Sequence, residues 1–207
     1  MDYFKHSVYI GEIKKIAEKV RQSGCFQDQT VVITGASGMI GSELTDVLMY
    51  ANREWGLNCR IYAVVRNMQK ARRRFEGYTD SGCFALCYAD VNTESMEIRE
   101  DVDYFIHAAS NTHPFAYAQK PVETILTNTL GTYHTLEFAY QHHCRRYVFL
   151  SSVEVYGDNR GNIQAFAEND CGYLECNTLR AGYPQGKRTG ETLCRAYASE
   201  KGMDYVI

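Results

Sequence analysis

The sequence contains no apolar run that approaches the roughly 18–20 residues of a membrane-spanning helix. It also lacks a hydrophobic N-terminal segment of the kind that directs secretion. The formal net charge of -3 over 207 residues gives no reason to expect nucleic acid as a partner. We therefore expect a cytoplasmic protein with one sizeable core, and neither a membrane nor a nucleic-acid partner.

Cysteine spacings typical of metal or redox sites are absent as well. No two of the eight cysteines form a Cys-x-x-Cys pair, and they are spread over predicted strands, helices and loops. In a chain without a secretory signal, this distribution predicts reduced thiols rather than disulfides, and no metal site.

The sequence does contain a glycine-rich turn between an apolar strand and a helical pattern. Residues 31–33 are Val-Val-Ile, the turn runs from Thr34 to Gly41, and a helical pattern follows. Such a turn can be an ordinary connection, but this layout is typical of a dinucleotide-binding βαβ unit. The three glycines would allow a tight turn, close approach of the pyrophosphate, and close packing of helix on strand. We expect cofactor contacts from Gly35, Ser37, Gly38, Met39, Ile40 and Gly41.

Apolar strands alternate with helical patterns along the rest of the chain. The predicted helices are 38–51, 67–75, 93–99, 121–142 and 183–201. The predicted strands are 31–34, 60–65, 84–89, 103–107, 146–151 and 205–207. This pattern predicts the α/β class, as a Rossmann-type doubly wound parallel sheet in the order 3-2-1-4-5-6. Its ligand crevice would lie at the carboxyl ends of the strands.

The chain divides into a short extension and one domain. Residues 1–28 contain an amphipathic helix with both charge signs on its polar face, which favours packing on the sheet edge or a partner subunit over a membrane. Residues 29–207 form the predicted NAD(P)-binding domain, with an active-site insertion at 152–182. The sequence stops within the sixth strand, so we expect that a C-terminal substrate domain is truncated.

The end of the second strand leaves the choice of cofactor open. Dinucleotide-binding folds commonly place an acid there to hold the ribose of NAD, but no Asp or Glu lies between Arg60 and Ala71. Arg66 would instead suit the 2′-phosphate of NADP, or it belongs to a solvated basic helix start. Both NAD and NADP remain candidates.

Tyr183 and Lys187 are spaced to share one face of the last predicted helix. A free phenol, with a pKa of about 10, is a poor base at neutral pH. A neighbouring ammonium group favours the phenolate and so makes Tyr183 a usable base. Serines end the preceding strand, where a hydroxyl would hydrogen-bond the substrate oxygen that Tyr183 deprotonates.

Together these motifs resemble the extended short-chain dehydrogenase/reductase family. The resemblance covers about residues 30–207, and the glycine spacing is Gly-x-x-Gly-x-x-Gly. Ser-x-Glu-Val-Tyr-Gly-Asp from Ser152 and Tyr-x-x-Gly-Lys-Arg-x-x-Glu-Thr-Leu from Tyr183 are similar to nucleotide-sugar decarboxylases and dehydratases. UDP-glucuronate decarboxylase-like members are nearest in motif.

The resemblance assigns roles to further residues. It implies that Ser152 is the catalytic hydroxyl, that Glu154 is an acid/base, and that Ser151 is buried support. The same family places an Asp such as Asp90 near the adenine amino group, with Val91 packed on the ring, although Asp90 also suits a helix cap. The remaining expected cofactor contacts are small residues or a helix amide: Ala108, Ala109, Ser110 and Asn128. His107 is interpreted as a structural histidine.

The implied activity is modification of a nucleotide sugar through transient oxidation at C4, followed by decarboxylation, elimination or epimerisation. Val153 stands where related dehydratases carry an acid, which puts 4,6-dehydration in doubt. An NADPH-dependent keto-sugar reductase and a non-catalytic cofactor-binding protein remain alternatives. By analogy, helices 121–142 and 183–201 would form a homodimer interface.

Overall fold

The structure is a computed structural model that describes residues 6–93, 96–112, 114–161 and 164–207. Within these residues, no helix combines the length and apolar character needed to cross a bilayer. All eight cysteines are free thiols.

Six parallel strands form one sheet in the order β3-β2-β1-β4-β5-β6. The strands are β1 Thr30–Thr34, β2 Arg60–Val65, β3 Phe84–Tyr88, β4 Tyr104–His107, β5 Arg146–Phe149 and β6 Tyr205–Val206. The predicted strand order is therefore confirmed, and the order reverses between β1 and β4, where doubly wound folds bind ligands.

Seven helices flank the sheet in the described part of the chain. They are α1 Ser7–Ser23, α2 Met39–Trp55, α3 Met68–Arg74, α4 Pro114–Gln119, α5 Pro121–Asn128, α6 Leu130–Gln141 and α7 Gly182–Lys201. Two single 3₁₀ turns, Val153–Tyr156 and Leu179–Ala181, lie in the predicted insertion.

Two predicted helices were wrong. The helix predicted at 121–142 is two helices, because Thr129 has φ of -109° and breaks the regular backbone between α5 and α6. The predicted helix at 93–99 is absent over 96–99, while 94–95 lie outside the described residues. The chain instead makes a turn at Asp90, whose carbonyl accepts from the Thr93 amide at 2.9 Å, and then buries Ile98 in the core.

Core residues fill both faces of the sheet. Val31 and Ile33 of β1 face the cluster covered by α2, while Val32 faces the cluster beneath α6 and α7. The N-terminal helix α1 packs against α2 and contributes the fully buried Ile13 and Ala17 to the first cluster.

A buried carboxylate links α1 to the rest of the fold. Asp46 on α2 is fully buried, accepts hydrogen bonds from the hydroxyls of Tyr9 and Tyr78, and pairs with Arg74. These partners come from α1, α3 and the segment after α3, so one side chain joins three elements on this face of the sheet.

Candidate active site

The glycine turn between β1 and α2 has no room for larger residues at two positions. Gly35 has φ of +65°, and a Cβ there would lie 2.8 Å from the Ala108 carbonyl oxygen. A Cβ on Gly41 would lie 2.5 Å from the Gly35 carbonyl oxygen. Both contacts are closer than real Cβ atoms approach, so the turn requires glycine to bring β1, α2 and the β4 end together.

A cleft of about 660 Å³ opens at the carboxyl ends of the strands. Most of the predicted cofactor residues line it. The glycine turn contributes Gly35, Ser37, Gly38, Met39, Ile40 and Gly41. The other predicted residues on its walls are Arg66, Val91, Ala108, Ala109, Ser110, Tyr183 and Lys187. Sequence reasoning missed further wall residues, among them Asn67, Lys70, Thr112 and Thr127.

Four described residues that were predicted for the site do not line this cleft: Asp90, Asn128, Ser152 and Glu154. The Asp90 carboxylate accepts from the Asn92 amide at 3.0 Å and so stabilises the turn after β3; the helix that Asp90 was expected to cap is absent over 96–99. Asn128 is buried, and its Oδ1 accepts from Ser110 Oγ at 2.8 Å. Asn128 therefore holds the segment after β4 through a side chain.

Lys187 is buried beside Tyr183 on α7. Its Nζ donates to the Leu150 carbonyl at 2.6 Å and lies 4.7 Å from the centre of the Phe149 ring. Burial lowers the pKa of Lys187 to about 8, so the ammonium form still dominates at neutral pH. Nζ is 6.0 Å from the centre of the Tyr183 ring, so the positive charge of the lysine lies beside the phenol.

Tyr117 on α4 stacks on Tyr183, a contact that sequence reasoning missed. The ring centroids are 4.8 Å apart with an interplanar angle of 18°. Burial, followed by the charges of Tyr183 and Glu154, raises the pKa of Tyr117 to about 12. Its hydroxyl stays protonated at neutral pH and donates to the Thr112 carbonyl at 3.0 Å. No motif in the sequence marks this pair, because the two residues come from distant segments.

The two serines after β5 have different partners. Ser151 is half-buried and on the cleft wall, and its Oγ donates to Glu191 Oε1 at 2.5 Å. Ser152 Oγ accepts from the Glu154 amide at 3.2 Å, which starts the 3₁₀ turn Val153–Tyr156. The Glu154 carboxylate pairs with Arg180 at 3.0 Å.

Arg66 reaches from the end of β2 to carboxylates on other elements. Its Nη1 lies 2.9 Å from Glu123 Oε1 on α5 and 3.9 Å from Asp90 Oδ2. Its Nη2 donates to Asn111 Oδ1 at 3.3 Å. Hydrogen bonds from Lys120 and then Arg66 lower the pKa of Glu123 to about 2, so Glu123 is ionised and compensates the Arg66 charge.

His107 is a structural residue at the end of β4. Thr34 Oγ1 accepts from the Ala109 amide at 3.2 Å and is also hydrogen-bonded to His107 Nδ1 at 2.8 Å. The other ring nitrogen faces Thr132 Oγ1 at 3.4 Å. Burial, with a smaller contribution from Lys187, lowers the pKa of His107 to about 3. The neutral ring ties the ends of β1 and β4 to α6, below the cleft.

A sequence model of the NAD dependent epimerase/dehydratase family matches residues 31–207. This chain belongs to that family. The match begins within β1 and includes the glycine turn, the tyrosine–lysine pair and the other five strands, so the cleft lies within the matched residues.

Two curated relatives in this family are UDP-glucuronic acid decarboxylases by name. UDP-glucuronic acid decarboxylase 1 of Xenopus tropicalis is 34% identical over 193 residues, which cover 93% of this chain and 41% of the relative. UDP-glucuronic acid decarboxylase 6 of Arabidopsis thaliana is 30% identical over 189 residues, covering 91% of this chain and 52% of the relative. The chain thus spans about half the length of the curated relatives it matches, or less.

Solved structures share the fold. A UDP-galactose 4-epimerase superposes with a TM-score of 0.68 at 26% identity, covering 85% of this chain and 54% of that one. The dTDP-glucose 4,6-dehydratase DesIV from Streptomyces venezuelae, solved with NAD and TYD bound, gives 0.69 at 22% identity, covering 85% and 53%. At that identity the dehydratase is evidence for the fold alone.

Proposed function

We propose that this chain carries the cofactor-binding and catalytic residues of an NAD-dependent enzyme that modifies a nucleotide sugar by transient oxidation at C4. The observation that carries the proposal is the placement of Tyr183 and Lys187 on the wall of the cleft formed by the glycine turn. A proton acceptor and a dinucleotide cradle in one cleft suit reversible oxidation of a hydroxyl group.

The cleft residues fit a dinucleotide. The turn at Gly35 and Gly41 excludes side chains, and α2 begins at Met39 with its N-terminus toward the cleft. Unpaired amides and the positive end of the helix dipole at that terminus suit the pyrophosphate. When bound, the nicotinamide would supply the hydride acceptor for the C4–H bond of the sugar and the donor for its return.

The residues of the chain would handle the proton and the orientation of the sugar. Tyr183 takes the proton of the 4-hydroxyl, and the Lys187 ammonium stabilises the phenolate that gives it this capacity. We assign the second hydrogen bond on that oxygen to Ser152. Glu154 would act as acid or base in the step that changes the 4-keto sugar.

We favour decarboxylation of a UDP-uronic acid as the net reaction. The two named relatives are decarboxylases of that kind, and Glu154 lies in the segment whose motif is similar to theirs. A 4-keto group is β to the carboxylate at C5, so oxidation makes loss of carbon dioxide favourable. Val153 supplies no acid for the elimination of water that a dehydratase requires.

We propose NAD rather than NADP, on the surroundings of Arg66. Its guanidinium is engaged by Glu123 and lies near Asp90. A 2′-phosphate at this strand end would have to compete with Glu123 and Asp90 for the Arg66 guanidinium and would meet their negative charge. The uncharged ribose hydroxyl of NAD carries no such penalty.

A homodimer through α5 and α6 is part of the proposal. Val122, Leu126, Leu130 and Tyr133 follow one another at helical spacing and are 68%, 41%, 37% and 41% exposed. A second copy would cover this stripe. Sedimentation of the full-length protein tests the interface, because Leu126→Asp should yield a monomer, whereas Glu54→Gln at an exposed position on α2 should not.

Mass spectrometry of the full-length protein with UDP-glucuronic acid and a panel of UDP- and dTDP-sugars tests the function. We expect loss of carbon dioxide from the UDP-uronic acid, no net consumption of NAD, and loss of turnover in Tyr183→Phe with cofactor binding retained. No altered sugar and no transient reduced cofactor across the panel would overturn the proposal. A Tyr183→Phe protein with its biological effect intact would favour a binding-only role, and stoichiometric consumption of NADPH a reductase.

A further inference from the structure

Side chains on one helix hold successive points of the segment that follows β5. Lys187 donates to the Leu150 carbonyl, and Glu191 accepts from Ser151 Oγ. The next residue after the lysine, Arg188, reaches further along the same segment. Lys187 lies on the cleft wall, and Glu191 holds Ser151, which also lies on it. Arg188 does not line the cleft, so binding of the cofactor does not explain its place in the motif.

Arg188 donates to two carbonyls on two different stretches of chain. Its Nε lies 2.7 Å from the Val155 oxygen, and its Nη2 lies 2.8 Å from the Gly172 oxygen. Val155 belongs to the 3₁₀ turn that follows Ser152 and contains Glu154. The planar fork of a guanidinium suits two acceptors held at fixed positions, which a lysine ammonium on a flexible stem does not reproduce.

The two stretches, residues 155–158 and 172–173, lie against each other, and we call this contact the neck. The Asp158 amide donates to the Tyr173 carbonyl at 2.9 Å. A Cβ on Gly172 would lie 2.0 Å from the Tyr156 carbonyl oxygen, so the two backbones touch. Gly157 has φ of +79°, and a Cβ there would lie 2.5 Å from the Tyr173 carbonyl oxygen. The two hydrogen bonds of Arg188 hold the neck against α7.

We propose that Arg188 is a positioning residue that fixes the turn of Ser152 and Glu154 relative to Tyr183. Tyr183 and Arg188 lie on the same rigid helix, so the two hydrogen bonds set the distance between the base and the turn that carries the other catalytic groups. The catalytic consequence rests on the proposed function. The mechanical consequence, that the neck is held by Arg188, does not.

The geometry predicts a separation of effects. Leu150 and Ser151 are held by Lys187 and Glu191, so the cofactor side of the segment keeps its contacts when Arg188 is replaced. The Ser152–Tyr156 turn and the neck lose the two hydrogen bonds that Arg188 donates to them. Turnover should therefore fall without a parallel loss of cofactor affinity, whereas a residue needed only for stability would lower both.

The test compares Arg188→Ala and Arg188→Lys with Arg195→Ala, an exposed arginine on the same helix. In the full-length protein we expect kcat for the UDP-sugar to fall roughly 100-fold in Arg188→Ala, as for a displacement of about 1 Å at a catalytic group. Arg188→Lys should restore little of it, and NAD affinity measured by calorimetry should match that of Arg195→Ala. Turnover equal to that control, or loss of NAD affinity in step with kcat, would overturn the proposal.

Hydrogen exchange by mass spectrometry supplies a readout that needs no substrate. Peptides covering 152–158 and 170–174 should exchange faster in Arg188→Ala than in Arg195→Ala, while peptides from β1 and α2 should not change. Unchanged exchange at the neck would refute the role of Arg188. Failure of the unaltered protein to turn over any sugar, with faster exchange at the neck, would instead contradict the proposed function and leave the positioning role supported.

Discussion

The rings of Tyr117 and Tyr183 lie nearly parallel, with their centroids 4.8 Å apart. The partner ring belongs to α4, and its hydroxyl donates to the Thr112 carbonyl, so the stack links Tyr183 to a second element besides its own helix. Because an aromatic pair stabilises by about 0.5–1.5 kcal/mol beyond area burial, its loss can change the orientation of the base measurably.

Replacing Tyr117 should therefore affect turnover through the stack and not through the hydroxyl. Tyr117→Phe keeps the ring, and we expect kcat close to that of the unaltered protein with a stability loss of about 1 kcal/mol for the hydrogen bond. Tyr117→Ala removes the ring, and kcat should fall about tenfold, the rate equivalent of the stacking energy. Steady-state kinetics of both variants makes the comparison; a Phe variant as impaired as the Ala variant would refute the stacking role.

Glu123 should lower the affinity for NADP, because its carboxylate pairs with the Arg66 guanidinium. Glu123→Gln removes the charge that engages the guanidinium, so we expect affinity for NADP to rise about 10-fold or more, the value of one charged hydrogen bond. Affinity for NAD should change little. Calorimetry with both dinucleotides measures this, with Glu200→Gln as a surface control for the lost charge.

Arg66→Ala completes the comparison. If NAD is the cofactor, this variant should bind NAD nearly as the unaltered protein does. A loss of about 1.5–3 kcal/mol confined to NADP, in a protein that already prefers NADP, would support the earlier interpretation of Arg66 as a phosphate ligand. That result would contradict the proposal of NAD.

The sequence was sufficient for the sheet because its signals are local. Apolar runs such as Val31–Ile33, and a glycine turn placed after one of them, identify a strand and its connection without knowledge of the rest of the chain. Strand order then follows from the handedness of the crossovers. The break at Thr129 was missed because the apolar periodicity of α5 continues into α6, and periodicity does not report the backbone dihedrals of a single residue.

Contacts between distant segments were not predictable in the same way. The stack of Tyr117 on Tyr183 and the pairing of Arg66 with Glu123 depend on how α4 and α5 lie across the strand ends. The sequence shows that Arg66 is positively charged, but not that Glu123 on α5 neutralises it. The sequence therefore indicated the chemistry of the site and left the assignment of partners to the fold.

The buried Asp46 should be important for stability. It accepts hydrogen bonds from Tyr9 and Tyr78 and pairs with Arg74, and it is fully buried. Asp46→Asn leaves the arginine without its carboxylate and should lower the free energy of unfolding by about 3 kcal/mol or more. Tyr9→Phe, which removes one of several hydrogen bonds to the carboxylate, should cost less, about 1.5–2 kcal/mol. Urea unfolding distinguishes the two, and equal losses would contradict the central role of the carboxylate.

Lys187 should give the protein a stability that increases with pH above neutrality. Burial lowers its pKa from 10.5 to about 8 in the folded chain. Below about pH 8 the lysine is charged in both states, and above about pH 10.5 it is neutral in both. Between these values the unfolded chain binds more protons, so the free energy of unfolding contributed by this group rises with pH.

Lys187→Met removes that contribution while keeping most of the length of the side chain. The free energy of unfolding of the unaltered protein, minus that of Lys187→Met, should grow between pH 8 and 10.5 by up to about 3 kcal/mol. Tyrosines and cysteines remote from Lys187 are common to both proteins and cancel in the difference. Urea unfolding of the two cofactor-free proteins at several pH values measures it. A difference that stays flat across this range would mean that the lysine keeps an ordinary pKa in the fold and is not desolvated beside Phe149, because only a pKa shifted on folding makes stability depend on pH.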